Sequence, residues 1–267
     1  MNTITSVVKR HSLVTFFVLA YALSWWTALL APHNLFPFGP LLAALIVLPF
    51  VGGWSGVAGF LRRIVQWRVG LPWYALVLVL PVVLVSTAVG LNLLLGARIL
   101  STDRIPSLSD VPMMVLFILL IGLGEEPAWR GFALPRLMAG RTALAGSLLL
   151  GVLHAIWHLP LFGLEYNWQN GLPWAISVLS FAIVTAWMYN RTHGSLLLPI
   201  LMHISVNIAA KYLFNPLFGG TDLLQLWWLW GGLWCAVALV VVAAAGPNLG
   251  RQPAARSEAI GQAVAAG

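Results

Sequence analysis

Val111-Pro-Met-Met-Val-Leu-Phe-Ile-Leu-Leu-Ile-Gly-Leu-Gly-Glu125-Glu126-Pro127-Ala-Trp-Arg130-Gly-Phe-Ala-Leu-Pro-Arg-Leu137 begins as hydrocarbon-core sequence and ends in two adjacent carboxylates and an arginine. The chain has seven acidic residues, and two of them stand side by side here. A carboxylate buried in lipid or protein is expensive unless paired, so it usually marks a working site. On a helix Glu126 and Arg130 are i,i+4 neighbours in the favourable order, acid before base. Glu125 points about 100° away round the helix and has no local cation. One carboxylate is thus expected to be held ionised, and the other is free to move protons. Pro127 lacks an N–H and leaves the carbonyl of Leu123 without its helical partner, so the helix is expected to kink or restart there.

Outward from this stretch the chain keeps the same character. Its 267 residues are 60% hydrophobic and only 8% charged, with a mean hydropathy of +0.91. Soluble domains carry about a quarter charged residues. The expected fold is all-α, a polytopic transmembrane bundle of about eight spans in a single domain over 1–247. The polar, alanine-rich tail 248–267 is expected to be disordered and cytoplasmic. Fourteen tryptophans suit two interfacial belts. Cys235 is the single cysteine and lies in an apolar run, which excludes a disulfide framework and a thiolate metal site. Residues 13–31 look like a signal-peptide core, but no small-residue cleavage site follows, so they are read as the first span.

The expected spans are Leu13 to Leu30, Leu41 to Phe60, Pro72 to Leu95, Val111 into the Glu-Glu stretch, Thr142 to Phe162, Leu172 to Tyr189, Ser195 to Leu213, and Leu223 to Ala245. Alternating sides puts Lys9, Arg10, Arg62, Arg63, Arg68, Arg136, Arg141, Arg191, Arg251 and Arg256 on one face. Arg98, Arg104 and Lys211 fall on or near the other. The positive-inside rule makes the first face cytoplasmic and both termini cytoplasmic. The net charge of +7 comes from these loop residues, so topology explains it and a nucleic-acid partner is not expected. No internal repeat of the transporter kind is visible.

Two further polar clusters interrupt apolar segments. His154-Ala-Ile-Trp-His158 stacks two imidazoles on one helical face, suited to sharing a proton near neutral pH or to holding a metal. The metalloprotease helix motif needs Glu directly after the first His, and here that position is Ala155. His203-Ile-Ser-Val-Asn207 aims an imidazole and a carboxamide at a common point, as an oxyanion requires. Each cluster has a structural alternative: an ion pair between Glu126 and Arg130, satisfied core histidines, or interhelical hydrogen bonds. Together they supply a base, a proton partner and oxyanion donors, enough for peptide hydrolysis without a nucleophilic side chain. Ser195, after His193-Gly194, reads as a helix N-cap rather than a nucleophile.

These three motifs resemble the CPBP intramembrane proteases, which include CAAX prenyl endopeptidases and the Abi group of bacteriocin-processing or immunity proteins. The pattern Glu-Glu-x-x-x-Arg is Glu125 to Arg130, the His of the second motif is His158 with its Leu-Pro tail, and His-x-x-x-Asn is His203 to Asn207. The resemblance covers about residues 111–210. It implies that Glu125 activates water with His158, that His203 and Asn207 stabilise the oxyanion, and that Glu126 and Arg130 orient the site. It also implies a glutamate-dependent endopeptidase cutting near the cytoplasmic face, with no metal. The Phe of the second motif is replaced by His154, so an alternative zinc site of Glu125, His154, His158 and His203 stays open. So does a silent peptide-binding or immunity protein. The expected partners are a peptide or membrane-anchored protein, prenylated in the CAAX case, and lipid. The expected location is a bacterial plasma membrane, multi-pass.

Overall fold

The computed structural model describes residues 3–32, 34–103, 105–163, 165–214 and 217–251. Arg104, Arg256 and most of the tail expected to be disordered, 252–267, lie outside them. The described residues form helices: α1 (Thr3–Arg10), α2 (Ser12–Leu30), α3 (Gly39–Ile64), α4 (Leu71–Leu94), α5 (Val111–Glu126), α6 (Leu134–Leu137), α7 (Ala143–Trp157), α8 (Gly171–Arg191), α9 (Leu197–Leu213) and α10 (Gly220–Ala245). No β-strand occurs among them, only an isolated bridge between Phe162 and Tyr166. The protein is an all-α polytopic bundle.

Among the described residues, six helical segments are long and apolar enough to cross a bilayer, one of them running from Leu108 through α5 to Leu137. The α7 and α9 helices are apolar but have 15 and 17 residues. At 1.5 Å per residue neither reaches across the ~30 Å hydrocarbon core alone. The expected fifth span, Thr142 to Phe162, is therefore corrected. Its helix stops at Trp157, because Pro160 cannot continue the ladder and Leu159–Leu161 tightens into a 3₁₀ turn. These two short helices carry the histidines.

The regular α-helical bonding of α5 ends at Glu126, before Pro127. Pro127–Ala133 is a π-helical turn between α5 and α6, its bonding stretched by one residue around the missing N–H. Two arginines take up carbonyls of this wide turn: Arg63 Nη2 donates to Gly131 O at 3.1 Å and Arg136 Nη1 to Phe132 O at 2.8 Å. Every residue of the turn is buried. Gly124, just before it, lies where a Cβ would stand 2.5 Å from the carbonyl oxygen of Pro37. Only glycine lets α5 approach the start of α3 this closely.

The α8 helix packs against α7 and α10, α9 against α4 and α5, and α2 against α3. Two side chains of α2 fix the far end of α7. Tyr21 OH donates to Leu153 O at 2.6 Å and Trp25 Nε1 to Trp157 O at 2.9 Å, meeting carbonyls left over at the helix end. Ser195 does not cap α9; its hydroxyl donates to Gln66 O at 2.9 Å. The tryptophans divide. Trp54, Trp67 and Trp168 are exposed as interfacial residues would be, but Trp129, Trp157, Trp174, Trp230 and Trp234 are buried and wall the interior.

Candidate active site

Four segments meet where the polar motifs lie. The end of α5 brings Glu125 and Glu126, the π-helical turn Arg130, the end of α7 His154 and His158, and α9 His203 and Asn207. Glu125, Glu126, Arg130 and His154 are all at least nine-tenths buried. Burial at that level requires each charge to find a partner.

Two networks result. In the first, Arg130 Nε stands 3.2 Å from Glu126 Oε2, the i,i+4 pair expected from the sequence. The other Glu126 oxygen is 3.1 Å from His203 Nδ1. Arg130 Nε also donates to Thr185 Oγ1 at 3.3 Å, and its guanidinium lies over the Phe181 ring. With Glu126 held as an acceptor, His203 Nδ1 is the donor, and its Nε2 faces elsewhere. In the second, His154 Nε2 lies 3.0 Å from Glu125 Oε2. His158 Nδ1 donates to His154 O at 2.9 Å, which leaves Nε2 as its free nitrogen. One ligand atom from each of Glu125, His154 and His158 falls within 4.8 Å of the others.

The residues named from sequence are thus gathered in one place, with a different division of contacts. Glu125 meets His154, the position where the resembled motif has Phe, while His158 stands behind it. His203 joins Glu126 and is not in the Glu125 cluster. Asn207 Nδ2 donates to His203 O at 3.0 Å, one turn back on its own helix, and keeps a second hydrogen for another acceptor. Thr185 and the tryptophan walls were not foreseen. A threonine on an apolar helix carries no sequence signal until its neighbour is known.

A cavity of about 150 Å³ opens beside the networks. His154, His158, His203 and Asn207 form its floor, and Trp174, Phe181, Trp230 and Trp234 line its sides. A peptide carbonyl entering it meets imidazole and carboxamide groups in otherwise apolar surroundings.

A divalent metal also finds suitable donors. Tetrahedral zinc with bonds of roughly 2.0–2.1 Å spaces its ligands about 3.3 Å apart; Glu125 and His154 stand 3.0 Å apart, and the three donor atoms fall within 4.8 Å, so closing on an ion would take a small side-chain shift. The His158 Nδ1 bond to a backbone carbonyl is the usual orienting contact of a ligating imidazole. The donor set therefore fits the group.

Residues 106–209 match the family model described as type II CAAX prenyl endopeptidase Rce1-like. That segment is similar to this family. Over 128 aligned residues the chain is 30% identical to CAAX prenyl protease 2 of Methanococcus maripaludis, covering 44% of each protein. The chain therefore matches less than half the length of that relative. The Rce1-like segment begins just before α5 and ends within α9, so it contains every residue of the two networks and stops short of α10.

Proposed function

We propose that the protein is an intramembrane endopeptidase of the CAAX-protease type. The observation that supports this most directly is the buried Glu125 carboxylate, hydrogen-bonded to His154 at the floor of the cavity with His158 in the same cluster. Water attacks the scissile carbonyl while Glu125, assisted by His158, accepts its proton. The resulting oxyanion receives hydrogen bonds from His203 Nε2 and from the spare hydrogen of Asn207 Nδ2. Since His203 Nδ1 already donates to Glu126, this contact requires both ring nitrogens to be protonated at that step. The proton held by Glu125 then passes to the leaving amine as the C–N bond breaks. Glu126 and Arg130 do no proton transfer; they fix the His203 ring. The substrate is a peptide or a membrane-anchored protein, and the setting a plasma membrane, read as bacterial.

Purified protein in detergent, offered a fluorogenic peptide library with and without prenyl groups, tests this reading. Glu125→Gln is expected to lower cleavage by about 10²–10⁴-fold, the usual contribution of a general base. Full activity in that variant overturns the reading.

A second reading rests on the three-ligand cluster. Glu125, His154 and His158 would hold a zinc ion that supplies an activated water, leaving His203 and Asn207 as oxyanion donors. Loss of wild-type activity with a chelator, restored by added zinc, selects it over the metal-free route.

A further inference from the structure

The turn between α3 and α4 carries more positive charge than the fold uses. Both helices are long and apolar enough to cross a bilayer, so the turn joining them lies at a membrane–water boundary. It reads Arg62-Arg-Ile-Val-Gln-Trp-Arg68. Arg62, Arg63, Val65, Gln66, Trp67 and Arg68 line an open depression of about 320 Å³. Cations at a helix C-terminus offset the dipole there, but that dipole amounts to only about half an elementary charge. Three guanidiniums exceed it several-fold. Among the described residues none of the three is paired with a carboxylate; the ion pairs there belong to Glu125 and Glu126.

The depression is held in shape by bonds that leave its cations available. Leu196 N donates to Arg63 O at 2.9 Å, Ser195 Oγ to Gln66 O at 2.9 Å and Tyr74 OH to Trp67 O at 2.6 Å. Carbonyls that would repel an anion are thus already taken. Gln66 Nε2 donates to Thr192 O at 3.1 Å and ties the turn to the end of α8. Arg63 is half-buried, with Nη1 donating to Tyr189 OH at 2.6 Å and Nη2 to Gly131 O at 3.1 Å. A guanidinium has five N–H groups, so Arg63 keeps donors to spare. Arg62 and Arg68 are exposed, and among the described residues their side chains have no hydrogen-bond acceptor. The Arg68 guanidinium lies over the Trp67 ring, 5.3 Å from its centroid. Leu61, Val65, Trp67 and Leu71 present exposed apolar surface along the same stretch.

We propose that this depression binds the phosphate headgroup of an anionic phospholipid. A phosphodiester accepts charge-assisted, bidentate hydrogen bonds from guanidinium groups, here Arg62, Arg63 and Arg68. Trp67 is the residue type that sits at headgroup level, and Leu61, Val65 and Leu71 lie alongside the acyl chains. Free phosphate shares the headgroup's charge but makes no use of this apolar surface, which is what assigns the site to a lipid. A zwitterionic headgroup brings its own ammonium against the three cations and is disfavoured. Through Arg63 the headgroup stands one side chain away from Gly131 O, in the wide turn that carries Arg130. The site concerns binding and does not depend on the endopeptidase reading.

Titration of the purified full chain in non-ionic detergent tests it, with binding followed by thermal shift and native mass spectrometry. The probes are dioctanoyl phosphatidylglycerol, dioctanoyl phosphatidylcholine and inorganic phosphate. Phosphatidylglycerol is expected to raise the unfolding temperature saturably and to stay bound as a single adduct, and the other two to do neither. Arg62→Gln with Arg68→Gln loses none of the bonds that hold the turn. It is expected to bind phosphatidylglycerol about 30-fold more weakly, roughly fivefold for each surface cation removed. The charge-matched pair Arg98→Gln with Arg141→Gln, both exposed and outside the depression, is expected to bind as wild type does. Phosphatidylcholine binding as well as phosphatidylglycerol overturns the anionic headgroup. Inorganic phosphate binding as tightly overturns the lipid assignment. Binding within about threefold of wild type in the Arg62/Arg68 variant, or equal weakening in both double variants, overturns the site.

Discussion

Glu125 and Glu126 are adjacent in the chain and both buried, yet they hold different things. Glu126 is enclosed by Arg130 at 3.2 Å and His203 at 3.1 Å and has no exposed surface. Glu125 has a single hydrogen-bonded imidazole, His154, at the floor of a cavity. Glu126 is held between a guanidinium and an imidazole. The imidazole partner of Glu125, His154, is itself among the residues that line the cavity. Neighbouring positions on a helix point about 100° apart, and here that angle directs the two carboxylates into separate networks. The comparison also explains why two carboxylates are needed: each answers to a different helix, Glu126 to α9 and Glu125 to α7.

The contrast breaks most visibly through loss of function on one side and loss of stability on the other. Glu125→Gln is expected to remove about 10²–10⁴-fold of the cleavage rate while its thermal unfolding in detergent stays near that of wild type. Arg130→Met should do the opposite of a clean catalytic change. It leaves Glu126 buried against one imidazole, and breaking a buried ion pair from one side is worth about 3–5 kcal/mol of destabilisation. Replacing both partners, as Glu126→Gln with Arg130→Met, should recover much of that loss, because no uncompensated charge remains. An Arg130→Met protein as stable as wild type would show that the Glu126 network does not support the fold.

His154→Phe sharpens the boundary between the networks. Phenylalanine keeps the aromatic contact with Trp129, now at a centroid distance of 5.2 Å, and removes the hydrogen bond to Glu125. If His154 only positions the carboxylate, cleavage falls about 10-fold, the equivalent of one hydrogen bond at ~1.4 kcal/mol, and stays indifferent to chelator. Complete loss of activity together with loss of bound zinc would transfer His154 to the metal reading.

Much of this architecture was legible in the sequence. The long apolar runs located the major helices, with the expected fifth span running five residues past the end of α7 at Trp157, since hydrocarbon-core composition constrains backbone polar groups to a helical solution. The pairing of Glu126 with Arg130 was legible too, because it depends only on local spacing. What could not be read were relations between helices. Whether Glu125 meets His154 or His158 depends on how α7 is rotated against α5, and Tyr21 and Trp25 of α2 set that rotation. The π-helical form of Pro127–Ala133 depends on arginines from a distant helix and from its own next turn reaching its carbonyls.

Thr185 tests how far the Glu126 network extends, and its expected effect is the smallest. Its hydroxyl donates to Phe181 O at 2.7 Å and receives Arg130 Nε–H at 3.3 Å. Valine has nearly the same shape and can do neither. The Arg130–Glu126 ion pair at 3.2 Å remains to hold the guanidinium, while the hydroxyl's bond to Phe181 O and its acceptance from Arg130 Nε are both lost. The expected loss in Thr185→Val is about 1 kcal/mol of stability, with cleavage unchanged. The same substitution made in the Arg130→Met background separates the two bonds. If Thr185 matters by steadying Arg130, its effect vanishes once the guanidinium is gone, and the double-mutant cycle shows coupling as large as the single effect. If the loss persists undiminished, Thr185 acts through α8 alone, and the network that encloses Glu126 ends at Arg130.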